Sequence, residues 1–159
     1  MPTTPARPTP SRVIPGSPGP VRQVDVRGPR FGAWVTAVVL AVALLTGSGV
    51  LVAVQAAVFA VGAFAGLRFA PYGLLFRVLV APRLGPVRDR EPEAPPRFVQ
   101  LVGFLFAVVG AAGYLLGAPV LGAVATGLAL VAALLNAVTG FCLGCELYLI
   151  ARRTLPARA

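Results

Sequence analysis

Two long stretches without a charged side chain dominate this chain of 159 residues. They cover residues 31–67 and 98–145, and each is far longer than the about 20 apolar residues that carry a helix across a bilayer. A single helix over the shorter stretch would be roughly 55 Å long, whereas the hydrocarbon core of a bilayer is about 30 Å thick. Each stretch therefore predicts a hairpin of two membrane spans rather than a single span.

Glycine-containing turns divide both hairpins. Gly47-Ser48-Gly49 interrupts the first apolar stretch, and Gly117-Ala118-Pro119 interrupts the second. The sequence thus predicts an all-α, polytopic membrane protein with four transmembrane helices, because only helices and closed barrels satisfy the backbone inside lipid. The predicted spans cover residues 31–46, 50–67, 98–116 and 120–139, within a transmembrane domain of residues 31–150.

Charge placement predicts the orientation of the two hairpins. The chain has 14 arginines, no lysine, no histidine and 5 acidic residues, which gives a net charge of +9. All of these charges lie before the first hairpin, in the loop of residues 68–97, or at the end of the chain, and neither turn carries any. By the positive-inside rule, both termini and the loop are cytoplasmic in a multi-pass protein of the inner membrane. The sequence shows no basic patch interleaved with aromatic residues on a folded polar surface, so the predicted partner of the basic segments is the anionic lipid bilayer rather than nucleic acid.

The segments outside the spans differ in character. Residues 1–30 hold eight of the 16 prolines and show no helical periodicity, which predicts a disordered cytoplasmic tail. Residues 151–159 form a second, basic cytoplasmic tail. Within the middle loop, the apolar segment 71–81 with its single Arg77 predicts an interfacial helix on the inner leaflet, with a re-entrant or buried connector as the alternative. Residues 84–97, with prolines and alternating charge, predict a flexible, solvated connection.

Small and polar residues within the spans indicate how the helices associate. Small residues at four-residue intervals let backbones approach closely, as Gly62 with Gly66, Gly103 with Ala107, Gly113 with Gly117, and Gly122 with Thr126, and Gly110 adds a further small residue. They predict tight packing of one four-helix bundle, with homo-oligomerisation as the alternative. Asn136 is the span residue expected to bond between helices. No ionisable residue lies in the middle of a span, which argues against a proton-coupled transporter or an ion pathway.

The only two cysteines stand three apart near the end of the last span, as Cys142 and Cys145. In a continuous helix both thiols would share a face. If the helix instead breaks at Gly140, Cys142 begins a new short helix, whose N-terminus stabilises a thiolate. Glu146 would oppose the thiolate, and the arginines near the C-terminus would partly offset Glu146.

A cytoplasmic dithiol predicts electron or sulfur exchange with a soluble protein. Cys142 and Cys145 are the candidate catalytic residues, with Cys142 as the attacking thiol and Cys145 as the resolving thiol. A thioredoxin-like protein or a sulfurtransferase is the expected partner, and no cofactor is predicted. Because the cytoplasm is reducing, the pair fits a donor or relay better than an oxidant of exported proteins.

Two other interpretations of the cysteine pair stay open. Structural zinc usually takes four Cys or His ligands, so a metal site would need the two thiols of a second copy. The thiols are alternatively inert packing groups. The chain would then be a non-enzymatic membrane scaffold or subunit.

Two segments resemble those of a known protein family. They are Val24-Asp25-Val26-Arg27-Gly28-Pro29-Arg30-Phe31 before the first span, and Asn136-Ala137-Val138-Thr139-Gly140-Phe141-Cys142-Leu143-Gly144-Cys145-Glu146-Leu147-Tyr148 at the end of the fourth. The chain is similar over about residues 24–150 to a family of uncharacterised four-span membrane proteins, a domain of unknown function common in actinobacteria. The resemblance implies a four-span fold and a membrane location, and it implies no specific activity.

Overall fold

The computed structural model describes residues 23–85 and 90–154, which form six helices and a short strand pair. The first half contains β1 (Gln23–Asp25), α1 (Arg27–Thr46), α2 (Gly49–Ala60) with a π-helical continuation (Val61–Ala65), and α3 (Pro71–Leu75) with a π-helical segment (Phe76–Val80) and a 3-10 turn (Ala81–Arg83). The second half contains β2 (Arg90–Pro92), α4 (Ala94–Leu115), α5 (Pro119–Thr139) and α6 (Leu143–Thr154).

The two predicted turns close the two hairpins. Gly47 takes a left-handed conformation with φ 62° and ends α1, a geometry that an L side chain rarely adopts. The Ser48 hydroxyl then accepts a hydrogen bond from the Leu51 N–H at 3.3 Å and caps α2. In the second hairpin, Pro119 occupies the first turn of α5, where its missing N–H leaves no hydrogen bond unmade.

The four long helices form a closed ring. α1 packs against α2 and α5, and α4 packs against α2 and α5. Small residues fill the centre, and the main buried cluster contains Ala43, Val52, Ala56, Phe59, Ala107 and Ala111. Most of the predicted small-residue positions therefore lie between helices of one chain: a Cβ on Gly113 would lie 2.5 Å from the Gly122 nitrogen.

Many large apolar side chains lie on the outside of the bundle, whereas small residues such as alanine fill most of its centre. Large aliphatic side chains point outward, with Val38 61% and Val131 63% exposed, while Ala43 in the centre is fully buried. Such a surface would be unfavourable in water and suits lipid, where packing of small residues drives helix association. Three helices, α1, α4 and α5, are long and apolar enough to cross a membrane. The predicted span 50–67 is an apolar helix, Gly49–Ala65, which is shorter than these three.

The segments before α1 and α4 are more ordered than the sequence predicts. Residues 1–22 of the predicted tail lie outside the described residues, but residues 23–25 pair antiparallel with residues 90–92, and α1 already begins at Arg27. Residues 86–89 also lie outside the described residues. The expectation of a flexible stretch over residues 84–97 is wrong for its second part, because β2 is paired and α4 begins at Ala94.

The middle loop folds back onto the bundle as a helical segment. Phe76 is 4% exposed and its ring lies 5.8 Å from that of Phe31 on α1. The other face of the segment is apolar and exposed, with Leu74, Leu75, Val78 and Leu79. The segment is therefore apolar on two faces: one face contacts α1, and the opposite face is uncovered.

Candidate dithiol site

The cysteine motif lies where the last long helix breaks. α5 ends at Thr139, and Gly140 takes a left-handed conformation with φ 74° while its N–H donates to the Asn136 carbonyl. The Thr139 hydroxyl donates to the Leu135 carbonyl and accepts from the Phe141 N–H at 3.0 Å. These bonds satisfy the end of α5 locally, so that the chain turns within three residues and starts a new helix. Of the two geometries open from the sequence, the broken helix is the one observed.

The two cysteines lie at the start of α6, one just before the helix and one within its first turn. Cys142 immediately precedes the helix, and its carbonyl accepts from the Glu146 N–H at 3.1 Å. Cys145 lies one turn later, and its sulfur is 2.6 Å from the Cys142 sulfur, with no disulfide bond between them. A covalent S–S bond measures about 2.05 Å, so closing the pair requires only a small movement of the sulfurs.

Both thiols line a groove at this end of the bundle. The groove has a volume of about 410 Å³ and lies between the start of α4 and the α5–α6 connection. Its lining comprises Pro95, Gly140, Phe141, Cys142, Cys145, Glu146 and Leu149. Both cysteines are partly exposed, so a molecule that enters the groove can reach the sulfurs.

Helix α6 is held against the first turns of α4. Gly144 packs so closely that a Cβ there would lie 2.8 Å from a methyl group of Val99. One turn further on, the Tyr148 ring lies 5.7 Å from the Phe98 ring. A glycine and an aromatic residue on one face of α6 thus fix the helix, and the adjacent positions 145 and 149 face the groove.

An arginine from the start of the chain closes the end of α5. The Arg30 guanidinium donates from Nε to the Ala137 carbonyl at 3.2 Å and from Nη2 to the Val138 carbonyl at 2.9 Å. These are carbonyls of the last helical turn, which lack partners within the helix. The two sequence segments that carry the family resemblance therefore meet at the end of α5, just before Cys142 in the chain.

Arg97 makes the same type of contact at the end of α2. Its guanidinium donates to the Ala63 carbonyl at 2.9 Å and to the Phe64 carbonyl at 3.4 Å. Beside it, the Glu93 carboxylate accepts a hydrogen bond from the Leu67 N–H at 3.1 Å. The only two cysteines of the chain follow the end of α5, so no cysteine lies at the end of α2.

The polar contact between helices is made by Gln55 rather than by the expected Asn136. The fully buried Gln55 accepts from the Tyr72 hydroxyl at 2.6 Å and lies 3.5 Å from the Thr36 hydroxyl. Burial raises the pKa of the Tyr72 phenol above its ordinary value, so Tyr72 stays a donor. Asn136 instead accepts a hydrogen bond at its backbone carbonyl, from the Gly140 N–H.

The sequence analysis identified the two thiols but not the long-range side-chain contacts made by Arg30 and Tyr72. Arg30 counted only as one positive charge, and the contact from Tyr72 to Gln55 joins segments that no sequence period connects. The repeated triplet Pro-Arg-Phe, at residues 29–31 and 96–98, is the sequence signal that points to Arg30. Among the residues that the structure describes, no group of three or more His, Cys, Asp or Glu side chains could hold a metal ion.

These features indicate a helical membrane protein with a pair of adjacent cysteines at one end of its bundle. The chain belongs to the family described as Domain of unknown function (DUF4395), whose family model matches residues 24–153. The matched range contains both hairpins and both cysteines. No curated protein and no solved structure matches the chain.

Proposed function

We propose that the chain crosses the bacterial inner membrane four times, with its arginine-bearing end in the cytoplasm. The hydrogen bonds of Arg30 and Arg97 join the charged segments to the ends of α5 and α2, so these segments meet at one end of the bundle. The two uncharged turns lie at the other end. The positive-inside rule then assigns the arginine end to the cytoplasm.

The short second helix crosses the membrane with the help of Arg97. α2 and its π-helical continuation have 12 and 5 residues, which extend roughly 25 Å. That length is somewhat below a hydrocarbon thickness of about 30 Å, so its last carbonyls lie near the membrane boundary. Arg97 satisfies those carbonyls, which removes the penalty of unpaired backbone groups in lipid.

The activity proposed is thiol–disulfide exchange with a thioredoxin-like protein of the cytoplasm. The observation that carries the proposal is the pair of sulfurs 2.6 Å apart at the start of α6, both lining one groove. Cys142 immediately precedes α6, and the N-terminal end of a helix favours a negatively charged group, which favours Cys142 as the attacking thiolate.

The exchange balances as a two-electron transfer. The Cys142 thiolate attacks one sulfur of the partner's disulfide, a mixed disulfide forms, and the partner's second sulfur leaves as a thiolate. The Cys145 thiol loses its proton and attacks the Cys142 sulfur, which releases the partner's first sulfur as a thiolate. The chain ends with a Cys142–Cys145 disulfide, and the partner, after taking up two protons, ends as a dithiol.

A trapping experiment tests this activity. Cys145→Ser removes the resolving thiol, so the mixed disulfide on Cys142 should accumulate in growing cells and be seen as a reducible band after acid quenching and alkylation. Cys142→Ser is the matched control, and it should trap much less. Equal trapping by both variants would contradict the assigned roles. Absence of any adduct, with a double serine variant that behaves like the wild type, would leave the scaffold or subunit interpretation.

A further inference from the structure

The two halves of the chain repeat the same elements in the same order. β1 begins four residues before α1, and β2 begins four residues before α4. Arg30 and Arg97 are each the fourth residue of their helix, and each stands between a proline and a phenylalanine. We define the first repeat as residues 23–83 and the second repeat as residues 90–154.

The repetition continues through the rest of each half. The second helix of each hairpin is followed by a glycine with positive φ, Gly66 at 100° and Gly140 at 74°. A short helical segment comes next and packs an aromatic ring on the phenylalanine after the arginine. The ring pair Phe31–Phe76 has a separation of 5.8 Å and an angle of 45°, and the pair Phe98–Tyr148 has 5.7 Å and 46°.

The repeats are related by a pseudo-two-fold axis that runs along the bundle. In the strand pair, Val24 pairs with Glu91, its own counterpart in the second repeat. The helix packing follows the same symmetry, since α1 contacts α5 while α4 contacts α2. Both repeats begin at the same end, so they are parallel repeats of the kind found in some transporters.

The arginine contacts cross between the repeats. Arg30 of the first repeat closes α5 of the second, and Arg97 of the second repeat closes the α2 continuation of the first. The two arginines thus occupy equivalent positions and make equivalent bonds. The segments that come after the two closed helices differ, because the cysteines occur only in the second repeat.

The two ring pairs give an alignment of the repeats. It shows which residues of the first repeat correspond to the two cysteines. With Phe76 aligned to Tyr148, Ala70 corresponds to Cys142 and Gly73 to Cys145. Ala70 and Cys142 each immediately precede their helix, and each carbonyl accepts the first helical hydrogen bond. The first repeat is therefore a version of the same site that lacks the thiols.

We propose that Arg30 is a positioning residue for the dithiol, a role that rests on the proposed thiol exchange. Arg30 fixes the last carbonyls of α5, and only Gly140 and Phe141 separate Thr139 at the end of α5 from Cys142. A guanidinium carbon also lies 3.9 Å from where a Cβ on Gly140 would stand. Loss of the guanidinium releases the α5 end and moves Cys142 relative to Cys145, which α6 holds against Val99 and Phe98.

Arg97 supplies the matched control for testing this role. The full-length protein in liposomes is compared as wild type, Arg30→Gln and Arg97→Gln, because each substitution removes equivalent bonds to a helix end. The first measurement is the rate at which glutathione disulfide converts the pair to an intramolecular disulfide. The second is the thermal unfolding midpoint in detergent.

The positioning role predicts a specific difference between the two variants. Arg30→Gln should slow disulfide closure about tenfold, since ångström-scale misplacement of reacting groups is costly, while Arg97→Gln should change it less than about twofold. Both should lower the thermal midpoint by a similar amount. Arg30→Lys keeps the charge without the planar fork, and should fall between the wild type and Arg30→Gln. Equal slowing by Arg97→Gln, or unchanged closure in both Arg30 variants, would overturn the role of Arg30.

The outcome separates this role from the proposed function. A wild-type pair that closes rapidly with glutathione disulfide, but traps no cellular protein, contradicts the proposed partner and leaves the Arg30 comparison intact. A wild-type pair that does not close under these conditions overturns both.

Discussion

Among single residues inside the bundle, Gln55 makes the widest set of polar contacts. It is fully buried on α2, and it bonds Tyr72 of α3 while lying beside Thr36 of α1. An amide in an apolar bundle is unfavourable unless both ends find partners. The Tyr72 hydroxyl therefore adds a polar contact between the middle loop and the bundle to the packing of Phe76 on Phe31.

Removing that hydroxyl should loosen the loop. Tyr72→Phe leaves the Gln55 carbonyl oxygen without its donor, and we expect a loss of about 1 kcal/mol in the free energy of unfolding. Thermal unfolding in detergent micelles measures it. Tyr114→Phe is the control, because Tyr114 packs its ring against Gly122 of α5. A Tyr72→Phe midpoint no lower than that of Tyr114→Phe would show that this hydrogen bond contributes nothing.

At the scale of elements, α4 and α5 pack with their backbones in direct contact. A Cβ on Gly113 or Gly122 would come within 2.5–2.8 Å of an atom of the other helix. A Cβ on Gly110 would lie 2.7 Å from the Thr126 hydroxyl oxygen. Within lipid, such backbone proximity replaces the hydrophobic driving force that holds helices together in water.

Two glycines of α5 offer a matched test of this contact. Gly122→Ala would place a methyl group 2.9 Å from the Tyr114 nitrogen, and we expect it to destabilise the fold by about 1–3 kcal/mol. Gly127→Ala has no atom within 4 Å of its Cβ, and should leave stability unchanged or raise it by up to about 1 kcal/mol. Chemical unfolding in mixed micelles compares the two. Equal effects would mean that α4 and α5 are not in close contact.

At the scale of the whole molecule, the arrangement has two unlike ends. One end carries the strand pair, the arginine contacts, α3 and α6, and the other carries only the two short turns. In the proposed topology, the apolar faces left uncovered on α3 and α6 would lie at the boundary of the inner leaflet, with Leu143, Leu147 and Ile150 exposed on α6. The dithiol would then lie at the level of the lipid head groups.

Labelling with a membrane-impermeant maleimide tests the orientation. In intact spheroplasts, Cys142 and Cys145 should stay unlabelled, and they should react once the inner face is opened. In a variant with both cysteines changed to serine, Ala118→Cys places one thiol in the exposed second turn and should react in intact spheroplasts. The reverse pattern would invert the topology.

The sequence could predict the gross architecture because each signal was local. Uncharged length, turn glycines and charge placement are read from neighbouring residues, and the resemblance over residues 24–150 agrees with the family match over residues 24–153. The order of residues 23–30 and 90–97 could not be read in this way. Strand β1 exists only because β2 pairs with it, and that pairing joins segments from opposite halves.

For the site, the sequence alone determined which groups can react and how far apart they lie in the chain. A chain without histidine or lysine, whose only two cysteines stand three apart, offers few other reactive groups. The tertiary structure decided that the helix breaks before Cys142, that both cysteines line one groove, and that Arg30 closes the end of α5. The physical reason is that helix ends need distant hydrogen-bond partners, and only the folded chain determines which arginine reaches which end.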